Sequence, residues 1–385
     1  MSTLRINVEP GLLYWAIERS GKDPLAVHEK FQNLGDWLSG DVDPTLKQLE
    51  AFAKYTYTPV GNLFLSEPPS EALSLPDFRA PSGQSLQKPS ANLMDVINQC
   101  EIRQDWYRNY LISNAEKKLD FVASCSLSDS PEKVAAEIAK ELGFSVSERA
   151  QLATWDAALT YMTSCADNAG VLVMRNGVVG SNTNRPLDTN EFSGFALVDS
   201  YAPLVFVNAK DSRSRQAFTL AHELAHIWLG EPGLSLNSMY QPLHRRIERW
   251  CDKVAAELLV PVNQLNAQNP QVALLDDEIS RLAKHFKVSS LVVLRRLRDT
   301  DYIDSGEYQD RFYAELQRLR ALSERNSGGG DYYRTQVSRT GKQFTRAVVF
   351  SALEGQTLYK DAFSMLGVKK QATFEELARN VGVML

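Results

Sequence analysis

Two of the five histidines in this 385-residue chain stand four apart, inside the segment Asp211–Gly230, DSRSRQAFTLAHELAHIWLG. Asp211 or Ser212 can cap its start with a side-chain oxygen, and Gly230 followed by Pro232 stops it. The segment therefore predicts a helix of about four turns. Helical residues four apart share a face, so His222 and His226 aim two imidazoles at one point, where both can bind one metal ion. Glu223 lies about 100° further round the helix. That sets its carboxylate beside a water such a metal would activate, rather than on the metal itself. Hydrolysis by an activated water needs two neutral nitrogen donors, an open position and a base within reach.

A third donor is expected on a neighbouring helix. Ile247–Pro261 reads IERWCDKVAAELLVP, and Glu248, Asp252, Ala255 and Ala256 fall on one helical face. The alanines allow this helix to approach the histidine helix closely. Glu248 then completes a His₂Glu zinc site, and Asp252 can orient a ligand histidine; without a metal, both are solvated charges. Glu257 is nine residues beyond Glu248, about 180° round, and should face away. Cys251 falls close to the same point, as a small buried thiol or as a regulatory ligand. His244, Tyr240 and Tyr201 are candidates to stabilise a tetrahedral intermediate.

At 43.1 kDa the chain is long enough for two or three domains. Hydrophobic residues at 44% and charged residues at 23% exclude a wholly disordered or fibrous chain. No apolar run approaches the length needed to span a bilayer. Met1–Gly21 lacks the apolar core of a signal peptide, which leads us to expect a cytoplasmic protein. Cys100, Cys125, Cys165 and Cys251 form no CxxC pair, which suggests reduced thiols.

Residues 1–68 predict a bundle of short helices. The expected elements are a helix over Leu12–Arg19 after Pro10, a second over Pro24–Lys30, a turn at Gly40–Pro44, a helix over Thr45–Tyr55, and a closing segment Val60–Leu65. Glu67–Ser90 holds five prolines and reads as a linker. Helices are expected over Asn92–Lys118 and, capped by Asp129 or Ser130, over Pro131–Leu142. Strands are expected at Gly170–Arg175, Phe195–Asp199 and Pro203–Asn208. Ser327–Gly330 reads as a flexible break, and Gly341–Leu385 returns to helix. Charge is uneven: residues 1–68 carry 6 Lys/Arg against 9 Asp/Glu, residues 69–280 carry 18 against 26, and residues 281–385 carry 18 against 12. The C-terminal third is thus the part suited to a polyanion. Within and beside it, Ile279–Leu297 has the period of a helix-turn-helix. Arg281, Lys284, Lys287, Arg295, Arg296 and Arg298 make it basic, either as a nucleic-acid contact or as a buttress with solvated arginines. His285 reads as a surface histidine of that patch.

The run VFVNAKDSRSRQAFTLAHELAHIWLG followed by ERWCDKVAAELLVP resembles the ImmA/IrrE family of zinc metallopeptidase-like regulators. The match is carried by Asn208, Arg215, Phe218–Glu223, His226, Glu248, Ala255, Ala256 and Pro261. Asp252 stands where Asn is common and Val260 where Met is common. The N-terminal order LLYWAIERSG…WLSGDVDPTLKQLEAFAKY resembles the Xre-like repressor domain, with Trp37–Gly40 as its turn. Its expected recognition segment, Phe31–Trp37, holds Asp36 and no Lys or Arg, whereas a DNA reader needs cations. A degenerate docking bundle is therefore expected there.

The resemblance implies a mostly helical α+β chain with a zincin-like metallopeptidase core between helical N-terminal (HTH-like) and C-terminal domains. The implied divisions are 1–68 (Xre-like bundle), 69–120 (linker and connecting helix), 121–300 (peptidase, including the HTH-like 279–298) and 301–385 (helical). It implies a Zn²⁺ endopeptidase with Glu223 as base, acting on a repressor, antitoxin or toxin encoded nearby and not at a membrane. The rival reading is a DNA-binding regulator or antitoxin with a non-catalytic zinc site, which would use Arg295, Arg296 and Arg298.

Overall fold

In the computed structural model, residues 5–69, 89–236, 242–271, 275–323 and 332–383 are described. Tyr240, most of the expected linker and the expected break at Ser327–Gly330 lie outside the described residues, as does the side chain of His244. The chain divides into two compact units, Met1–Ile97 and Asn98–Leu385.

Local signals start and stop the helices of the first unit: α1 (Pro10–Ser20), α2 (Pro24–Lys30), α3 (Leu34–Ser39) and α4 (Leu46–Tyr55), then a 3₁₀ turn over Val60–Phe64. Prolines occupy the first position of α1 and α2, where the missing N–H costs nothing. Thr45 and Gln48 cap α4 reciprocally as a capping box. Leu12, Leu13, Ala16, Val27, Leu34, Leu49, Phe52 and Leu63 form the core. Against it, Phe31 sets its ring edge-on to Phe52 at 5.5 Å and to Tyr55 at 5.6 Å, an arrangement aromatic quadrupoles favour.

The remaining elements are α5 (Ala91–Ser113), α6 (Pro131–Leu142), α7 (Val146–Gln151), α8 (Trp155–Asn168), β1 (Leu172–Asn176), β2 (Val178–Val179), β3 (Asn182–Pro186), β4 (Phe192–Leu197) and β5 (Leu204–Asn208). They continue with α9 (Arg213–Leu229), β6 (Gly233–Leu236), α10 (Pro242–Leu259), α11 (Val262–Ala267), α12 (Leu275–Phe286), α13 (Ser290–Asp299), α14 (Ser305–Ser323), α15 (Tyr332–Thr340), α16 (Lys342–Leu353), α17 (Tyr359–Leu366) and α18 (Gln371–Asn380). The fold is a mostly helical α+β arrangement, and no described helix is long and apolar enough to cross a membrane.

A four-stranded sheet is ordered β1-β5-β4-β6. β1 pairs with β5 in parallel, from Leu172 opposite Leu204 to Asn176 opposite Asn208, while β4 is antiparallel to both β5 and β6. Strands β1, β5 and β4 are buried almost throughout, as their continuous apolar runs require. The short pair β2–β3 and the edge strand β6 were not among the expected elements. β2 has only two residues and a register shift, too little for a period to register. α9 lies across β4 and β5, and α10 packs on α9 and α6. Leu220, Ala221, Leu224 and Ala225 of α9 and Val254, Ala255 and Leu258 of α10 share one core with Val205 and Val207 of the sheet.

Two expected helices have different bounds. The helix expected to reach Lys118 ends at Ser113, before Ala115 adopts a left-handed φ of 57°. The segment expected as helix from Gly341 is three helices, broken at Gly355 and Gly367, both with positive φ. α12 and α13 occupy the segment expected as a second helix-turn-helix.

Candidate metal centre

Ser212 caps α9 by accepting the Arg215 N–H. Gly230 closes the helix in the left-handed region at φ 78°, its N–H returning to the carbonyls of His226 and Ile227. Between these caps the buried face of α9 carries His222, Glu223 and His226, with Glu223 and His226 fully buried. Glu248 comes from α10, also buried. Ala255 and Ala256 on that helix are completely inaccessible, in keeping with close helix approach.

These side chains converge. His222 Nε2 lies 3.0 Å from Glu248 Oε2, and His226 Nε2 lies 3.2 Å from Glu248 Oε1. The two Nε2 atoms are 3.2 Å apart. Nitrogens bound tetrahedrally to one zinc at about 2.0–2.1 Å would be about 3.3 Å apart, so the donors already stand at ligand spacing. Each outward nitrogen is anchored: His222 Nδ1–H donates to Asp252 Oδ1 at 3.0 Å, and His226 Nδ1–H donates to the Glu231 carbonyl at 3.1 Å. Anchoring Nδ1 turns Nε2 inward, the arrangement ligand histidines adopt. His222, His226 and Glu248 are the group that could hold a metal ion among the described residues. The donor set of two imidazoles and one carboxylate suits zinc.

Electrostatics follow from this crowding. Burial alone would lower the His222 pKa, but hydrogen bonds to Asp252 and Glu248 outweigh it and hold the imidazole well above its ordinary value. His226 is also raised against burial, by the Cys251 sulfur and by Glu248 and Glu223. Burial pushes Glu248 upward, yet its hydrogen bonds to both imidazoles hold it well below the carboxylate range. Three buried groups thus share charge that a divalent cation would replace, releasing protons.

Glu223 stays outside this donor group. A Cβ built on Gly194 would stand 2.5 Å from Thr219 Cγ2, so α9 presses directly on β4 at that glycine. Glu223 Oε1 is 3.5 Å from the same position, which places the carboxylate between α9 and the sheet. Gly233, opening β6, is tighter still: its Cβ would lie 2.5–2.6 Å from three atoms of the His226 ring. Backbone alone fits there.

The other candidates are not among the three donors. Tyr201 sits in the β4–β5 connection with its ring beneath the Lys118 ammonium at 5.8 Å. Cys251 is completely buried beside His226, outside the three donors. Glu257 is held away from the donors, its carboxylate bonded to Arg296 and the Val262 N–H. His285 is half-buried edge-on against Phe286 at 4.7 Å; burial and the nearby Arg281 and Lys287 lower its pKa.

The basic segment is largely neutralised. Arg281 pairs with Glu278, Arg295 with Asp252, and Arg298 with Asp299 while lying 4.5 Å over the Tyr308 ring. Arg296, whose side chain is only 6% exposed, is turned inward to Glu257 and the Val260 carbonyl. It offers no cation to a surface partner. Sequence reasoning missed the Glu231 carbonyl, Gly233 and the Arg295–Asp252 pair. Their only local trace was Pro232, read with Gly230 as the helix stop and lying between Glu231 and Gly233.

Residues 166–298 match the family model of the IrrE N-terminal-like domain. Residues 340–380, spanning α16 to α18, match a domain of unknown function, DUF8813. No curated protein matches the chain. The first match contains His222, Glu223, His226, Glu248 and Asp252, and supports the ImmA/IrrE family for this part of the chain.

Proposed function

We propose that the chain is a zinc-dependent endopeptidase that controls a partner protein, of repressor, antitoxin or toxin type, by cutting it. The observation that carries this reading is the combination of three donors at ligand spacing with a buried carboxylate one residue from the first. A purely structural zinc site has four protein ligands and needs no base, whereas a hydrolytic site keeps three and an open position. Zinc at these donors would lower the pKa of water and polarise the scissile carbonyl.

The chain's own residues do the rest. Asp252 and the Glu231 carbonyl hold the Nδ1–H of His222 and His226, keeping both Nε2 lone pairs directed inward. Glu223 accepts the proton of the attacking water as the carbon–oxygen bond forms. It then gives that proton to the amine nitrogen as the carbon–nitrogen bond breaks. Three of the four arginines in the HTH-like segment make exposed or half-buried ion pairs and the fourth is buried, which weighs against the rival DNA-reading role for this face.

Co-expression with the product of the neighbouring gene, followed by mass spectrometry of fragments, tests the proposal. Wild type should cleave the partner. Glu223→Gln, whose amide cannot take a proton, should lose about 10²–10⁴ of rate while keeping the fold and partner binding. An intact partner with wild type under inducing stress, or equal regulation by both forms, refutes it.

A further inference from the structure

Helix α13 is fastened to the metal-bearing helix α10 through two consecutive residues. Arg296 reaches the end of α10, donating to the Val260 carbonyl and to Glu257. Arg295 reaches one and a half turns earlier: its Nη1 lies 3.0 Å from Asp252 Oδ2. The other oxygen of that carboxylate, Oδ1, takes the Nδ1–H of His222 at 3.0 Å. Asp252 is therefore shared oxygen by oxygen between a metal-site imidazole and a guanidinium 43 residues away in sequence. Arg295 itself stands between two carboxylates, with Asp299 Oδ2 at 3.9 Å from its Nε. Its side chain is 25% exposed and that of Asp252 is 22% exposed, so the pair is held mostly out of water.

An imidazole on a helix can rotate about χ2, and the direction of Nε2 is set by whatever anchors Nδ1. A carboxylate anchor has rotational freedom of its own. It becomes a fixed anchor only when its second oxygen is also held, and an ionised donor holds it more strongly than a neutral one. We infer that Arg295 is a positioning residue of the metal centre: acting through Asp252 it fixes the ring of His222, which makes α13 part of the site rather than a neighbour of it. This inference rests on the metal-centre reading above.

The test is a zinc competition titration on the full chain against a chromophoric chelator, which reads affinity without any peptidase assay. Losing an outer partner of a ligand histidine costs roughly 10–100-fold in metal affinity. Arg295→Gln should sit near the lower end, about tenfold weaker than wild type. Arg295→Lys, which restores a cation to Asp252, should recover most of the loss. Asp252→Asn should weaken binding by itself, and adding Arg295→Gln to it should weaken binding no further, because the effect of Arg295 passes through the carboxylate.

Wild-type affinity in Arg295→Gln overturns the inference. So does an equal extra loss when Arg295→Gln is combined with Asp252→Asn, since that is the mark of a general effect on the fold. A wild-type chain that binds no zinc removes the metal-centre reading itself, a result distinct from either of these.

Discussion

A methyl group added at Gly233 would stand within 2.6 Å of three ring atoms of His226. Either the ring or the strand must move, and the ring is tied through Nδ1 to the Glu231 carbonyl two residues earlier. Gly233→Ala should therefore misplace His226 Nε2 and weaken zinc binding by tenfold or more, the scale seen when ligand orientation is lost. The same competition titration checks it, and unchanged affinity would mean that β6 yields freely. Histidine spacing was legible in the sequence because it is a property of one helix, and the position of Glu248 because it is a property of another. Of what holds those side chains, only Asp252, on the same helical face as Glu248, was legible. The Glu231 carbonyl is a backbone group any residue supplies, and Arg295 meets Asp252 only because the chain returns after 43 residues.

Elements were readable where local chemistry marks them. Ser130, Ser212 and Thr45 cap the helices that follow, and Gly143 and Gly230 end theirs. The strand order β1-β5-β4-β6 was not readable, since pairing is non-local and β6 has four residues. The junction between α8 and α16 shows what such contacts cost. Asp167, near the end of α8, is buried and its carboxyl is pushed up to about 7, although backbone N–H groups of Val173 and Lys342 and the Lys342 charge act in the opposite direction. Its Oδ1 has no hydrogen-bond partner among the described residues. The unfolded carboxyl releases its proton near 3.8, so between that pH and about 7 the folded state holds a proton the unfolded state has lost. Stability therefore falls as pH rises through this window and levels off above it. Asp167→Asn should flatten that slope and raise stability at pH 8 by at most on the order of 4 kcal/mol. Urea unfolding at pH 5 and pH 8 measures both; an equal or steeper slope in the variant would contradict the account.

At the scale of the whole molecule, net charge is −5 and the excess of cations is confined to residues 281–385. Charge counting alone made that region the candidate for a polyanion, but counting cannot see pairing. Arg295 and Arg296 are spent on α10, and Arg298 on Asp299 and Tyr308. Arg295 and Arg296 thereby brace the helix that carries Glu248. The account's central claim is that His222, His226 and Glu248 bind zinc while Glu223, beside them, does not. Metal analysis of the purified full chain by mass spectrometry tests this most directly. The account predicts about one zinc per chain in wild type and in Glu223→Gln, and loss of most of it in His222→Ala and in Glu248→Ala. Full zinc content in both of the latter variants, or its loss in Glu223→Gln, would contradict it.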